Sequence, residues 1–281
     1  MAECGAIYWV VALSAEAKCI VKYFGLKRTQ GRLPFPLYQD SDGSNQLVVS
    51  GAGRMAAAAA TAYLAGRNTD SDTAGWINLG IAGHKDFELG HLVRANRVSA
   101  TNEKRSWYPV LPFKSSIQGY SALTVDLPTK GYPTEAVVEM EAYGFLGVTT
   151  LVAGVELGHC LKVISDNESH HWEELDRFKI EELMAKSWDE VVSFSEKIRE
   201  ISREEKSLVV ENPRLKEMSS RFRLSVTQKN RLRHVLTRVD VLVLEGLSFP
   251  ESLLDEASNG KDLLRKLEAW ADEAFSMSDM L

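Results

Sequence analysis

The sequence predicts an α/β protein with a mixed, mainly parallel central sheet flanked by helices and a helical C-terminal extension. Three observations point there. Short apolar runs rich in Val and Ile recur with helical stretches between them, the alternation expected of parallel strands joined by crossover helices. From about residue 173 the pattern changes to charged amphipathic helix. A chain of 281 residues also has the length for one full α/β core plus an appendage.

The strand candidates, in order, are residues 6–12, 47–50, 76–81, 92–99, 122–125, 136–140 and 161–164. The first is wholly apolar, as a strand buried on both faces must be. After the turn Gly51-Ala52-Gly53, residues 54–66 hold five consecutive alanines and no helix breaker before Gly66, so a helix lying close to the sheet is expected. From Glu173 to about Ser207 no Gly or Pro interrupts the helical pattern, and Asn212-Pro213 then punctuates the chain. Leu232, Val235, Leu236, Val239, Leu242 and Val243 form one apolar helix face, and a last helix is expected over 260–275. These readings divide the chain into an α/β domain, 1–201, and a helical extension, 202–281.

Composition narrows the function. A net charge of -6 supplies no global basic field for nucleic acid or anionic lipid. The longest apolar stretches, residues 6–13 and 55–65, fall short of the roughly 20 residues of a bilayer span. Glu3 stands where a secretory signal carries Lys or Arg, and Cys4, Cys19 and Cys160 have no metal-ligand spacing. Free thiols and a cytoplasmic protein are the expectation. His170-His171 lacks the i, i+4 spacing of a helical metal site, so neither a metal nor a cofactor is indicated.

Four polar features stand at predicted strand ends, where open α/β folds bind ligands. Gly51-Ala52-Gly53-Arg54 is either an anion-binding turn at a helix start or a tight turn that seats the helix. Glu16 is either a general base at the end of the first strand or a first-turn glutamate behind an N-cap at Ser14. Glu139 and Glu141 sit in an otherwise apolar strand-to-helix transition; at most one is expected to face the crevice, and the other reading is a helix-start glutamate. Ser165-Asp166-Asn167 either reads a polar ligand or caps a following helix.

In this order, the segments ALSAE (12–16), VSGAGRMAAA (49–58), INLGIAG (77–83), VEMEA (138–142) and ISDN (164–167) resemble the purine nucleoside phosphorylase and nucleosidase superfamily. Its methylthioadenosine/S-adenosylhomocysteine nucleosidase and futalosine hydrolase branches are the most similar. The resemblance covers about residues 7–201 and implies a phosphorylase-like fold that cleaves N-glycosidic bonds. It implies Glu16 as the water-activating base, Glu141 on the ribose hydroxyls with Met140 against the sugar, and Asp166 as the acid that protonates the leaving purine. Ser165, Ala82 and Gly83 would complete the substrate site. Cleavage builds positive charge on the sugar and negative charge on the base, so carboxylates beneath the ribose and an acid at the base serve opposite ends.

The chain departs from the pattern at Ile81, where many relatives carry a serine, although futalosine-type hydrolases resemble it in having Gly-Ile-Ala-Gly. The stretch between Val93 and Val138 is short and lacks a base-stacking phenylalanine; Tyr132, Leu127 and Trp107 are the substitutes on offer. Hydrolysis is the first reading. Phosphorolysis would need a cationic phosphate site, for which Arg54, Arg94 and Arg97 are the candidates, with nothing to pair Arg54 with a second arginine. The third reading is a catalytically reduced module that binds a nucleoside or a partner. Residues 199–238 carry 11 basic against 5 acidic side chains, read as a solvated helical face because a single aromatic residue, Phe222, is no series of stacking platforms. Superfamily relatives are usually dimers or hexamers, so a homodimer is expected, with a small-molecule nucleoside and water or phosphate as the other partners.

Overall fold

The computed structural model describes residues 5–208, 212–244 and 246–278. Cys4 lies outside them. In chain order the first elements are β1 (Ile7–Val11), α1 (Ser14–Tyr23), β2 (Lys27–Arg28), β3 (Leu37–Gln39), β4 (Asn45–Val49), α2 (Arg54–Arg67) and β5 (Gly75–Gly83). There follow β6 (Leu92–Ala100), β7 (Gln118–Thr124), β8 (Ala136–Glu139), α3 (Ala142–Val152), β9 (Gly158–Asp166), a 3-10 turn at Trp172–Glu174, α4 (Arg177–Lys186) and α5 (Trp188–Leu208).

All five residues of β1, IYWVV, are buried because the strand is central, parallel to β4 on one side and to β5 on the other. Its side chains alternate between two cores. Tyr8 and Val10 join the cluster that includes Leu64 of α2 and Phe145 of α3, whereas Ile7, Trp9 and Val11 join Ile20 of α1, Leu183 of α4 and Ile198 of α5. Beyond β4 the antiparallel strands β3 and β2 form an edge that the sequence reading missed, since two and three residues are too short for a period-2 signal.

On the other side the sheet closes. β5 pairs antiparallel with β8, β8 with β7 and β7 with β6 in parallel, β6 antiparallel with β9, and β9 returns in parallel to β5. This five-stranded closed layer brings the carboxyl ends of β1, β5, β8 and β9 to one cavity.

Contacts divide the chain into two compact units, Met1–Ser207 and Leu208–Leu281. The boundary expected at 201 falls inside α5, which meets no helix breaker before Leu208. The second unit contains α6 (Pro213–Arg221), α7 (Val226–Leu244), α8 (Ser252–Glu256) and α9 (Gly260–Ser278). Leu232, Val235, Leu236, Val239 and Leu242 are buried with Leu263, Leu264 and Leu267, the apolar face expected from their spacing. Much of the basic excess is neutralised within this unit: Arg214 pairs with Asp240, Arg221 with Asp255, Arg231 with Glu268 and Arg238 with Asp272.

Candidate active site

A cavity of about 270 Å³ opens at the carboxyl ends of those strands. Its wall includes Glu16, Ala82, Gly83, Met140, Glu141, Ser165 and Asp166, so every proposed catalytic or substrate-binding residue borders one space. Arg54 does not. Its guanidinium is drawn to Glu103 and Asp126, which corrects its candidacy for phosphate binding. Arg94 and Arg97 are also absent from the wall, and among the described residues no Lys or Arg lines it.

Glu16 stands both at a helix start and on the cavity wall. The helix begins at Ser14 with Leu13 at the cap position, and the Glu16 side chain reaches back so that Oε2 accepts the N–H groups of Ala12 and Leu13 at 2.9 and 2.8 Å. Oε1 accepts the Ile81 N–H at 3.0 Å across the gap to β5. The carboxylate thus caps α1 and faces the cavity together. Burial, with the negative charge of Glu141 added, pushes Glu16 up to about 7 against the pull of these N–H groups and of Lys162.

The two glutamates of the Glu-Met-Glu segment divide the roles between them. Both border the cavity, which corrects the expectation that at most one would, and Glu139 is also the helix-start residue: its Oε2 accepts the N–H groups of Glu141 and Ala142 at 2.9 and 2.7 Å, and Thr124 donates to its other oxygen. Glu141 Oε1 accepts the Gly53 N–H at 2.9 Å. The glycine turn therefore does bind an anion, and that anion is the protein's own carboxylate. Gly53 takes φ +104°, a conformation that suits glycine.

Between these acids lies Lys162, which the sequence reading missed. Its ammonium is fully buried, 2.8 Å from Glu139 and 3.6 Å from Glu141, and a Cβ on Gly80 would stand 3.3 Å from it and 3.1 Å from Glu16 Oε1. Burial works against its charge, but Glu139 and Glu141 outweigh that and raise its pKa above the ordinary lysine value. Burial likewise opposes the charge of Glu139, and Lys162 and Thr124 together hold it below the usual carboxylate range. In Glu141 burial prevails and raises it. The available signal was a lysine inside the apolar run of β9, since a buried ammonium demands carboxylates nearby.

At the far end, β9 continues through Asp166, and no helix starts there for it to cap. The capping reading of Asp166 is corrected on that ground. Its Oδ1 accepts Ser165 Oγ at 2.5 Å and its Oδ2 accepts Tyr132 Oη at 2.7 Å. Of the three aromatic or apolar substitutes, only Tyr132 borders the cavity; Leu127 is exposed and Trp107 packs against Tyr143 and Arg105. Trp172, Leu175 and Ile180 also line the wall, and nothing in the sequence had marked them.

No family model matches the chain, and no curated protein matches it. Solved structures do. A 5′-methylthioadenosine/S-adenosylhomocysteine nucleosidase from S. pneumoniae superposes with a TM-score of 0.54 at 18% identity, covering 68% of this chain and 98% of that one. The corresponding enzyme from Neisseria meningitidis gives 0.51 at 18%, covering 67% and 98%. The 5′-methylthioadenosine nucleosidase of Arabidopsis thaliana gives 0.52 at 16%, covering 69% and 96%. The chain has the nucleosidase fold. About a third of it lies beyond what the nucleosidase fold spans.

Proposed function

We propose that the chain hydrolyses the N-glycosidic bond of a purine nucleoside or nucleoside-like metabolite. The observation that carries this reading is one cavity with carboxylates at both ends. Glu16 lies beside Gly80 and Ile81 of β5, Glu141 borders the same cavity, and Asp166 lies beside Gly83, two to three residues along the strand from Glu16 or roughly 7–10 Å away. A nucleoside bound there has its ribose over the glutamates and its base at the aspartate. Water gives a proton to Glu16 and attacks C1′, the anionic cluster stabilises the cationic sugar, and Asp166 protonates the departing base. The nucleosidase fold supports the same reaction.

The cavity wall favours hydrolysis over phosphorolysis. Phosphate would need cationic donors, and Lys162, buried beside the glutamates, is committed to Glu139 and Glu141. The deciding experiment follows free base by chromatography from a nucleoside panel with and without phosphate. Base release without phosphate is the expected result; release only with phosphate overturns the hydrolytic reading.

Glu16→Gln is expected to abolish hydrolysis while nucleoside affinity stays within about tenfold, because a water-activating base contributes little to ground-state binding. Calorimetric binding and turnover assays separate the two effects, and an equal loss of both would assign Glu16 to substrate binding or to the fold.

The pH dependence carries a second check. Glu16 must be ionised to accept a proton, so kcat should rise with pH through an acid limb near 7. Stability runs the other way: a carboxylate raised on folding contributes stability fully below its unfolded value, and that contribution is lost as pH rises through about 7. A kcat profile flat from pH 5 to 8 would remove Glu16 as the base.

A further inference from the structure

Asp166 lies beneath two hydroxyl donors, and the one from Tyr132 is unusual. The Tyr132 ring is buried, and its edge lies so close to β5 that a Cβ on Gly83 would stand 2.4 Å from Tyr132 Cε1 and 2.4 Å from Asp166 Oδ2. Only glycine at 83 lets strand, ring and carboxylate meet. Burial and the adjacent Asp166 raise the phenol above its ordinary value, so it remains a neutral O–H donor. A residue present only to stack on a base works through its ring face and has no need of this bond.

We propose that Tyr132 is a positioning residue for proton transfer, whose O–H holds Asp166 and stabilises the carboxylate that forms as the acid gives up its proton. This rests on the nucleosidase reading of the site. As the C1′–N bond breaks, its electron pair passes to the base and a ring nitrogen of the base takes the proton of Asp166. The water oxygen bonds to C1′, and Glu16 takes the water's proton. Asp166 ends as a carboxylate, and Tyr132 keeps its proton throughout. A hydrogen bond to an anion is stronger than one to a neutral acid, so the Tyr132 bond tightens as the reaction proceeds. Its effect belongs in kcat rather than in KM.

The test uses Tyr132→Phe in the full chain, which deletes the hydroxyl and keeps the ring on Gly83. The substrates are adenosine, inosine, 5′-methylthioadenosine and p-nitrophenyl riboside, whose leaving group departs as a stable anion without a proton. On the nucleosides kcat is expected to fall by roughly 10- to 100-fold, the range of one hydrogen bond to a charged group, with KM within about twofold. The loss should be under about threefold on the nitrophenyl riboside, and Tyr132→Phe should cost nothing further in an Asp166→Asn background. Placing 3-fluorotyrosine at 132, a more acidic phenol, should keep kcat at or above the parental value.

An unchanged kcat, a rise in KM alone, an equal loss on the nitrophenyl riboside or an additive loss with Asp166→Asn would each overturn the proposal. So would a fluorotyrosine protein as slow as Tyr132→Phe. A parental protein that releases no base from any nucleoside overturns the proposed function and this inference together. An active parent matched by Tyr132→Phe overturns the inference alone.

Discussion

Asp166→Asn is expected to lower turnover of natural nucleosides by roughly 100- to 10,000-fold, the usual contribution of a positioned general acid. The amide keeps the size of the side chain but has no proton to give. It also keeps one acceptor oxygen, so only one of the hydroxyls of Ser165 and Tyr132 loses its partner, and Ser165 Oγ already has the Ala82 carbonyl at 3.3 Å. The stability cost is accordingly about 1 kcal/mol. Thermal melting and steady-state kinetics on one preparation separate the two effects. The rate loss should be smallest for substrates whose base leaves without protonation. A variant active across the nucleoside panel would remove Asp166 as the acid and favour a binding module.

Lys162→Met should produce the largest loss of stability. The apolar side chain fills much of the space, but Glu139 is left fully buried without its counterion, with Glu141 beside it. Removing one partner of a buried pair typically costs about 3–5 kcal/mol, which for a unit of this size is a fall in Tm of roughly 6–20 °C. The deficit should narrow as pH falls. In the parent, Glu139 is depressed, so its stabilising contribution is lost as pH drops through its folded value. In the variant the uncompensated carboxylate is relieved by protonation over the same descent. Adding Glu139→Gln should restore most of the stability at neutral pH, since the amide oxygen still accepts N–H groups at the start of α3. A Tm gap that is independent of pH and unaffected by Glu139→Gln would show that Lys162 matters only for packing.

The sequence by itself determined whatever depends on neighbours along the chain. The all-apolar run of β1 marks a strand buried on both faces, the alanines of α2 mark a helix, and Leu232 to Leu242 mark one apolar face of α7. The ordered motifs also placed Glu16, Met140, Glu141 and Asp166 at or near strand ends, and all four border one cavity. The tertiary structure alone decided which groups meet across long separations in sequence. Lys162 reaches Glu139 and Glu141 only because the sheet closes from β9 back to β5, and no local pattern encodes that pairing. Glu139 turned to its own helix and Glu141 to the glycine turn 88 residues earlier, a division settled by which N–H groups each carboxylate could reach. Arg54 was lost to Glu103 and Asp126 for the same reason, and Tyr132 was chosen over Leu127 and Trp107 by the course of one loop against Gly83. Charge and hydrogen bonding act through space at a few ångströms, whereas sequence patterns report only spacing along one element.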